Sequence, residues 1–326
     1  MAHNRSGVGL RSADHRTESL SAREAAGGGM TMFGHILVPL DGSNLAQGIL
    51  PLVAFVSEKL GSRVTLLHLL ERHARPHVHA DRHLMDHAEA ETYLRQVRQA
   101  FPAAVHVETH THAPRVGDVA GSIVDHASEI GADLVALTTH GAGGLSRAVF
   151  GSIAQRVMER SRLPVLLRPP RGQPPHDQVR SILVPVDVVP DHAPGASRGI
   201  DVARALGASV LLVGVTPTRN SLSPARSAPA QLLPATTNVL LQVEQTQLRQ
   251  RLASVESHAA RQGVPCRAEL LNGDPVDLLL AVEQREQPDL VVIASRGRSG
   301  PDAALNESLG ERLCAQCRAP LLVFPV

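Results

Sequence analysis

Short apolar runs alternate with longer segments of helical periodicity along most of the chain. In the first half, the apolar runs predict strands at residues 36–40, 64–70, 104–107, 134–137 and 165–167. The segments between them predict helices at residues 44–60, 88–101, 117–130 and 152–162. Strands that are apolar throughout suit a sheet that is buried on both faces. Their alternation with helices predicts right-handed crossovers and a mostly parallel sheet.

The second half of the chain repeats the first. Residues 35–41, 132–138 and 163–168 match residues 181–187, 288–294 and 319–324, in the same order and at nearly the same spacing. The repeat predicts two copies of one α/β domain, at 33–168 and 180–326. Each copy is expected to contain an open, mostly parallel five-stranded sheet with helices on both faces. A proline-rich linker at 169–179 joins them, and residues 217–238, rich in Pro, Ser and Ala, are predicted to form a mobile loop.

Composition excludes several classes of function. The 326 residues are 43% hydrophobic, which is enough apolar material for two packed cores. A net charge of +1 and an aromatic content of 2% argue against a nucleic-acid-binding protein. We find no apolar stretch long enough to span a membrane, and residues 1–32 are predicted to be a disordered tail without the apolar core of a signal peptide. Three cysteines suit a reducing compartment, so a cytoplasmic location is expected.

Candidate chemistry follows the ends of two predicted strands in the first copy, where open parallel sheets bind ligands. Asp41 ends the first strand. A glycine-rich loop follows the fourth strand, with His140, Gly141, Gly143 and Gly144 before Gly151 and Ser152. Glycine loops and helix starts offer backbone N–H groups to phosphates. Ser152 and Gln155 have the spacing of a capping box at the start of that helix. Together they predict a nucleotide site with a carboxylate on one strand and a phosphate cradle after another.

These motifs resemble those of the universal stress protein family. The family pattern of Gly-x-x-Gly, nine residues and Gly-Ser or Gly-Thr stands here as Thr138-Thr139-His140-Gly141, nine residues and Gly151-Ser152. This sequence differs from the family pattern only at the first glycine, where Thr138 stands instead. The family's Pro-x-Asp strand end matches Pro39-Leu40-Asp41, and its Leu-Leu-His-Val pattern matches residues 66–69. The resemblance covers both copies and implies an adenine nucleotide alpha hydrolase-like fold.

The resemblance implies that the first copy binds ATP or another adenine nucleotide, with or without Mg²⁺, as a nucleotide-dependent stress-response switch. It makes Asp41 a contact to ribose or adenine, and the backbone of Leu69 a contact to adenine. The phosphates would be held by Gly141, Gly151, Ser152 and the N–H of Ile153. Pro39, Leu40, Thr139, His140 and Gly144 complete the expected site, which includes no catalytic residue and no metal ligand. The last strands, 165–167 and 321–323, are expected to pair the copies into a pseudo-dimer that could form a homo-oligomer.

The second copy is altered at the expected phosphate cradle. It retains Asp187, but Glu307 replaces the second motif glycine. A carboxylate about 4 Å from a phosphate charge costs on the order of 1 kcal/mol in water and about 4 kcal/mol at an effective dielectric of 20. Arg296 and Arg298 offset part of this cost. The second copy is therefore expected to bind nucleotide weakly or not at all.

Two other functions stay open at this point. One is a slow ATPase or phosphoryl-transfer enzyme with His140 or Ser152 near the phosphates. The other is a nucleotide-free scaffold or metal-binding protein that uses the histidine-rich loop 73–87, where His79, His83 and His87 would share one helical face. Without a Walker P-loop, a dinucleotide fingerprint or a nucleophile elbow in the sequence, at most weak ATP hydrolysis is expected. The Cys314 and Cys317 pair is expected to be two small apolar positions rather than half a zinc site.

Overall fold

The computed structural model describes residues 32–70, 77–78, 81–82, 84, 86–112, 118–139, 151–169, 178–188, 193–222, 224–295 and 309–325. In the first half the strands are β1 (His35–Pro39), β2 (Arg63–Leu69), β3 (His77–Val78), β4 (Asp81–Arg82), β5 (Val107–His112), β6 (Leu134–Thr138) and β7 (Val165–Arg168). The helices are a 3-10 turn (Ala46–Ile49), α1 (Leu50–Leu60), α2 (His87–Arg98), α3 (Val119–Glu129) and α4 (Ser152–Arg160).

The second half has the same order of elements with one long insertion. Its strands are β8 (Ser181–Val186), β9 (Ser209–Thr216), β10 (Cys266–Asn272), β11 (Leu290–Ser295) and β12 (Leu321–Pro325). Its helices are α5 (Ala193–Leu206), a 3-10 turn (Arg219–Ser221), α6 (Pro224–Leu232), α7 (Pro234–Arg261), α8 (Pro275–Glu286) and α9 (Leu309–Gln316). Within the described residues, no helix is long and apolar enough to cross a membrane.

Ten strands form one continuous sheet in the order β10-β9-β8-β11-β12-β7-β6-β1-β2-β5. Neighbours within each half are parallel, and the two halves meet at an antiparallel pair, β7 and β12. Leu166 lies opposite Leu322 in that pair. The predicted α/β class is confirmed, and the last strands of the two copies pair as expected. The two predicted five-stranded sheets are therefore the halves of one sheet.

Helices cover both faces of this sheet because its inner strands are apolar on both sides. On one face, side chains from α3, α4, α8 and α9 pack against alternate strand residues of both halves in a single apolar layer. Leu167 and Leu321, opposite each other in the β7–β12 pair, belong to this layer. At the join the ring of Phe33 also stacks on that of Phe324, with centroids 6.2 Å apart. The two halves therefore share one hydrophobic core.

The third strand of the first half was predicted at residues 104–107, and that position is wrong. The strand β5 begins at Val107 and runs through polar residues to His112. Residues 102–105 form a turn instead, in which the N–H of Val105 donates to the carbonyl of Pro102 (3.0 Å). The strand β5 lies at the edge of the sheet, where one side is open and polar side chains are tolerated. An apolar run was therefore a misleading guide to it.

Residues 217–238 were predicted to be a mobile loop, and the structure is helical over most of them. The helix α6 begins at Pro224, and α7 begins at Pro234. Proline suits the first turn of a helix, because its fixed φ is helical and its missing N–H would have no partner there. The many alanines then favour continuation of the helix. Two of the four prolines in this segment therefore stand at helix starts, while Pro229 lies inside α6.

The two outermost strands carry charged side chains. On β10, Arg267 binds Glu286, and Glu269 binds Arg285. On β5, Glu108 lies 3.0 Å from the ring of His106, which immediately precedes the strand. Charged edge positions of this kind oppose pairing with a strand from another chain. Both ends of the ten-stranded sheet are protected in this way.

Candidate functional site

The expected site lies at the carboxyl ends of β6, β1 and β2, which are neighbours in the sheet. The N–H of Leu40, just beyond β1, donates to the carbonyl of Leu67 on β2 (2.8 Å). The N–H of Thr139, just beyond β6, donates to the carbonyl of Arg168 on β7 (2.8 Å). In the sheet, β1 lies between β2, the next strand along the chain, and β6. The strand order therefore reverses between β1 and β6, which makes this position a topological switch point. The structure thus brings Pro39, Leu40, Asp41, Leu69 and Thr139 to one edge.

Asp41 organises the turn that follows β1. Its Oδ1 accepts hydrogen bonds from the N–H (2.9 Å) and from the hydroxyl (2.6 Å) of Ser43. The Ser43 hydroxyl oxygen then accepts from the N–H of Ala46 at the start of the 3-10 turn (3.1 Å). Gly42 between them has φ +90°, a conformation that favours glycine. The half-buried carboxylate of Asp41 is therefore held in one orientation by its own backbone neighbours.

His68 is the site residue that sequence reasoning did not single out. It lies fully buried on β2, where its Nδ1 donates to the carbonyl of Leu40 (2.8 Å) and its Nε2 contacts the carbonyl of Leu84 (3.3 Å). A Cβ on Gly42 would stand 2.9 Å from the Leu84 side chain. The imidazole thus connects the Asp41 turn to Leu84, whose side chain packs against that turn. A histidine within a predicted buried strand was the available signal.

Thr138, which replaces the first glycine of the family pattern, faces away from α4. Its hydroxyl is buried and donates to the carbonyl of Ala46 in the 3-10 turn (3.2 Å). The neighbouring Leu137 lies on the opposite face, in the apolar layer that contains α4. Because side chains alternate along a strand, the helix start and Thr138 are on different sides of the sheet. The threonine fixes β6 to the Asp41 turn.

Arg168 adds a positive charge at the same edge. It ends β7 in register with Thr138, and burial lowers the pKa of its guanidinium. A Cβ on Gly48 would stand 2.6 Å from Arg168 Nη1, so the guanidinium lies close against the 3-10 turn. Its charge makes the edge more favourable for an anion.

The start of α4 differs from the predicted capping box. Gly151, with an extended backbone (φ −60°, ψ 132°), is the N-cap, and Ser152 is the first helical residue. The side chain of Gln155 donates to Glu159 (3.0 Å) instead of reaching back. A glycine N-cap offers no side-chain oxygen to the first N–H groups of the helix. The exposed Ser152 and Ile153 therefore stand at a helix start that no described side chain caps.

Several predicted positions lie outside the described residues. They are the phosphate-loop residues His140, Gly141, Gly143 and Gly144 and, in the second copy, Arg296, Arg298, Glu307 and Ser308. The tail 1–31 and linker residues 170–177 lie outside them too. The described framework of the candidate site is thus the Asp41 turn, the buried His68, the β6 end and the start of α4.

The two halves differ within this framework. The β8–β9 pair of the second half has the same register as the β1–β2 pair of the first half. This register aligns Val186 and Asp187 with Leu40 and Asp41. Val188 and Val189 then replace the Gly-Ser pair of the Asp41 turn. Gly214 stands at the position of His68, and a Cβ there would be 3.0 Å from Leu248 of α7. The second half has thus lost the serine turn and the buried imidazole.

A histidine cluster lies away from this edge, between β5 and α3. His110 Nδ1 lies 3.0 Å from Nε2 of the buried His126, and the ring of His112 is 5.5 Å from the His126 ring. His126 Nδ1 is 3.4 Å from Glu129. The hydrogen-bonded ring nitrogens point at each other rather than toward a common centre. In the described part of the chain, no group of His, Cys, Asp and Glu residues has a metal-binding arrangement.

His79, His83 and His87 would share one face only if residues 79–87 were helical, and the structure does not form that helix. Residues 77–78 and 81–82 pair as the antiparallel strands β3 and β4, and α2 begins only at His87. His79 and His83 lie outside the described residues.

The two cysteines of the CxxC pair are ordinary core residues, as predicted. Both are buried in the apolar layer, and burial raises the pKa of the Cys317 thiol.

Protonation of His126 is expected to destabilise the fold in acid. Burial first, and then the neighbouring His110 and His112, lower the pKa of His126 below the ordinary 6.5. Below pH 6.5 the unfolded chain therefore binds a proton that the folded chain resists, so stability falls as the pH falls. Urea midpoints at about pH 7.5 and about pH 5.5, on either side of the ordinary histidine pKa, measure the loss.

The variant His126→Gln should lose less stability over this interval than the unmodified chain. Burial also lowers the pKa of His35, so part of the loss should remain. His106→Gln removes an exposed histidine and is the control for the loss of a histidine as such. An unchanged pH dependence in His126→Gln would show that another group is responsible.

Comparison with known proteins agrees with the repeat and the fold. A model of the family described as the universal stress protein family matches residues 32–169 and again residues 178–325. The chain belongs to the universal stress protein family. Its two matched segments make it a tandem member, with two universal stress protein domains in one chain.

Relatives of this universal stress protein match one half or both. A universal stress protein of Synechocystis is 34% identical over 142 residues, which is 44% of this chain and 89% of its own length. A Pseudomonas aeruginosa protein of unknown function has a TM-score of 0.65 at 17% identity and covers 91% of this chain and 94% of its own. A universal stress protein from Archaeoglobus fulgidus has a TM-score of 0.60 at 17% identity, covering 89% and 96%. At such identities the two solved structures support the fold alone.

Proposed function

We propose that this universal stress protein binds one molecule of ATP, or of another adenine nucleotide, in its first half, as a nucleotide-dependent stress-response switch. One observation carries the proposal: the fixed carboxylate of Asp41 and the start of α4, without a side-chain cap, flank the same topological switch point. Carboxylates accept hydrogen bonds from ribose hydroxyls, and helix starts bind phosphates. The two features suit the two ends of a nucleotide.

The orientation of the nucleotide follows from these features. Asp41 would contact the ribose, and the backbone at Leu69 would contact the adenine. Phosphates would lie toward Gly151, Ser152 and Ile153. The glycine loop after β6, with His140, Gly141 and Gly144, would complete the cradle. Arg168 ends β7 at the same edge, on the side of the sheet that carries Thr138 and the 3-10 turn.

The proposed switch uses the connection through His68. Its ring contacts both Leu40, beside the Asp41 turn, and Leu84, whose side chain packs on Gly42. A ligand shifts a conformational equilibrium only by its different affinity for the two states. A nucleotide that contacts the Asp41 turn would favour the state in which Leu84 covers that turn. The contact of Leu84 with this turn is therefore the feature that we expect to respond to binding.

Only the first half is proposed to bind. The second half retains Asp187 but has Val189 where Ser43 completes the turn, and Gly214 where His68 connects it. Glu307 adds a negative charge at the expected phosphate cradle. The stoichiometry should be one nucleotide per chain.

Titration of the full chain with ATP tests this proposal. Asp41→Ala removes the carboxylate and its bonds to Ser43, and should lower the affinity about 10- to 100-fold, since a hydrogen bond to a charged group contributes roughly 1.5–3 kcal/mol. Asp41→Asn keeps an oxygen that can accept the hydrogen bonds of Ser43 but removes the negative charge. It therefore distinguishes the effect of the turn on affinity from the effect of the charge. Asp187→Ala, at the equivalent position of the second half, is the matched control and should bind like the unmodified chain. Calorimetry gives the affinity and the stoichiometry together.

Native mass spectrometry of the chain as purified adds an independent reading, since a retained nucleotide identifies itself by mass. Equal losses in Asp41→Ala and Asp187→Ala, or two nucleotides per chain, would contradict the assignment to the first half. No binding of ATP, ADP or AMP by the unmodified chain would exclude the adenine nucleotide itself.

A further inference from the structure

The first turns of α7 are apolar on the side that faces away from the sheet. Leu248, Leu252 and Ala259 are the buried side of this helix. Val239 lies nine residues, or two and a half helical turns, before Leu248 and therefore on the opposite side. Val239, Leu240 and Val243 are 58%, 54% and 46% exposed. Residues three and four apart are neighbours on a helix surface, so these three side chains form one exposed cluster.

Two more exposed apolar residues precede this cluster in the chain. Leu232 ends α6 and Leu233 precedes α7, and they are 81% and 60% exposed. We call these five residues the α7 patch: Leu232, Leu233, Val239, Leu240 and Val243. With about half or more of each side chain exposed, the patch presents on the order of 500 Å² of apolar surface, a size typical of interaction sites.

The charge around the α7 patch narrows the choice of partner. The 17 residues from Ser227 to Val243 include no Asp, Glu, Lys, Arg or His. The flanking charges, Arg226 and Glu244, bind each other (2.7 Å). A charged peptide would therefore find no complementary charge here, and an anionic membrane surface would find no basic cluster. The surface suits an uncharged apolar partner.

We propose that the α7 patch binds the α7 patch of a second copy of this chain. In a two-fold interface the same surface meets itself, so like charges would face each other if the patch were charged. The absence of charge removes that repulsion. Two patches would bury on the order of 1,000 Å² in total, near the lower limit for specific interfaces. The dimer should therefore be weak and dependent on concentration.

Sedimentation of the full chain over a range of about 1 to 500 μM, which spans weak dissociation constants, tests this interface. The average mass should rise from that of the monomer toward twice that value. Val243→Glu and Leu240→Glu should each remain monomeric over this range. Gln250→Glu places the same charge on an exposed position of α7 two turns beyond Val243, and should dimerise like the unmodified chain.

The salt dependence of dimerisation distinguishes an apolar interface from one held by ion pairs. A dimer held by apolar contact should persist or strengthen at high salt, whereas one held by ion pairs should weaken. Thermal unfolding of each variant shows that the exposed substitutions leave the fold intact. A chain that stays monomeric at every concentration, or a Val243→Glu variant that dimerises at unmodified strength, would overturn the assignment.

Discussion

Replacing Gly151 with Glu is expected to lower the affinity of the full chain for ATP about a thousand-fold. The substitution copies Glu307, its counterpart in the second half, into the proposed phosphate cradle. A carboxylate about 4 Å from a phosphate charge costs about 4 kcal/mol at an effective dielectric of 20, which corresponds to roughly three powers of ten. The backbone of Gly151 has φ −60° and ψ 132°, which any residue adopts, so the loss should not come from backbone strain.

Gly151→Gln is the matched control, because it has the same shape without the charge. It should retain much more affinity than Gly151→Glu, and the difference should shrink as salt is added. Calorimetry of both variants at two salt concentrations measures this difference. Equal affinities for the two variants would place the phosphates away from Gly151.

Replacing Leu322 with Asp is expected to destabilise the whole chain by at least about 4 kcal/mol. Leu322 is 2% exposed and lies opposite Leu166 where the two halves of the sheet meet. The substitution removes apolar contact and places a carboxylate at a buried position between strands. Because both halves share one apolar layer, a single cooperative urea transition should move to lower concentration.

Two further variants keep this prediction measurable if Leu322→Asp does not fold. Leu322→Ala should cost about 2–5 kcal/mol, and Leu322→Val, which changes little volume, less than about 1.5 kcal/mol. Loss of the second half's structure while the first half unfolds at its original urea concentration would show that the halves are independent.

The repeated inner strands were predictable because they are continuous apolar runs that occur twice. The edge strand β5 was not, since the sequence Glu108–His112 is polar and its strand conformation depends on pairing with β2. The helix α6 was also missed, because prolines and serines are typical of loops and only the position of each proline relative to the helix distinguishes the two. Both errors concern segments whose neighbours in space decide their conformation.

The placement of the candidate site was predictable from strand order, but its internal contacts were not. Asp41 and Ser152 both follow predicted strand ends, and the sheet brings those ends together. The contacts of His68 with Leu40 and Leu84 join residues that are 28 and 16 positions apart. Whether the Thr138 side chain lies on the same side of the sheet as α4 depends on which face that helix covers. Such contacts follow from packing, which no local pattern contains.

The charges on β5 and β10 also limit the size of any assembly that forms by pairing of edge strands. Fibrils grow when an open strand edge accepts another strand, and each addition creates a new open edge. Here β7 and β12 pair with each other through apolar residues, and only the strands that carry Glu108, Arg267 and Glu269 remain outermost. Unlimited strand-by-strand polymerisation is thereby disfavoured even in a crowded solution.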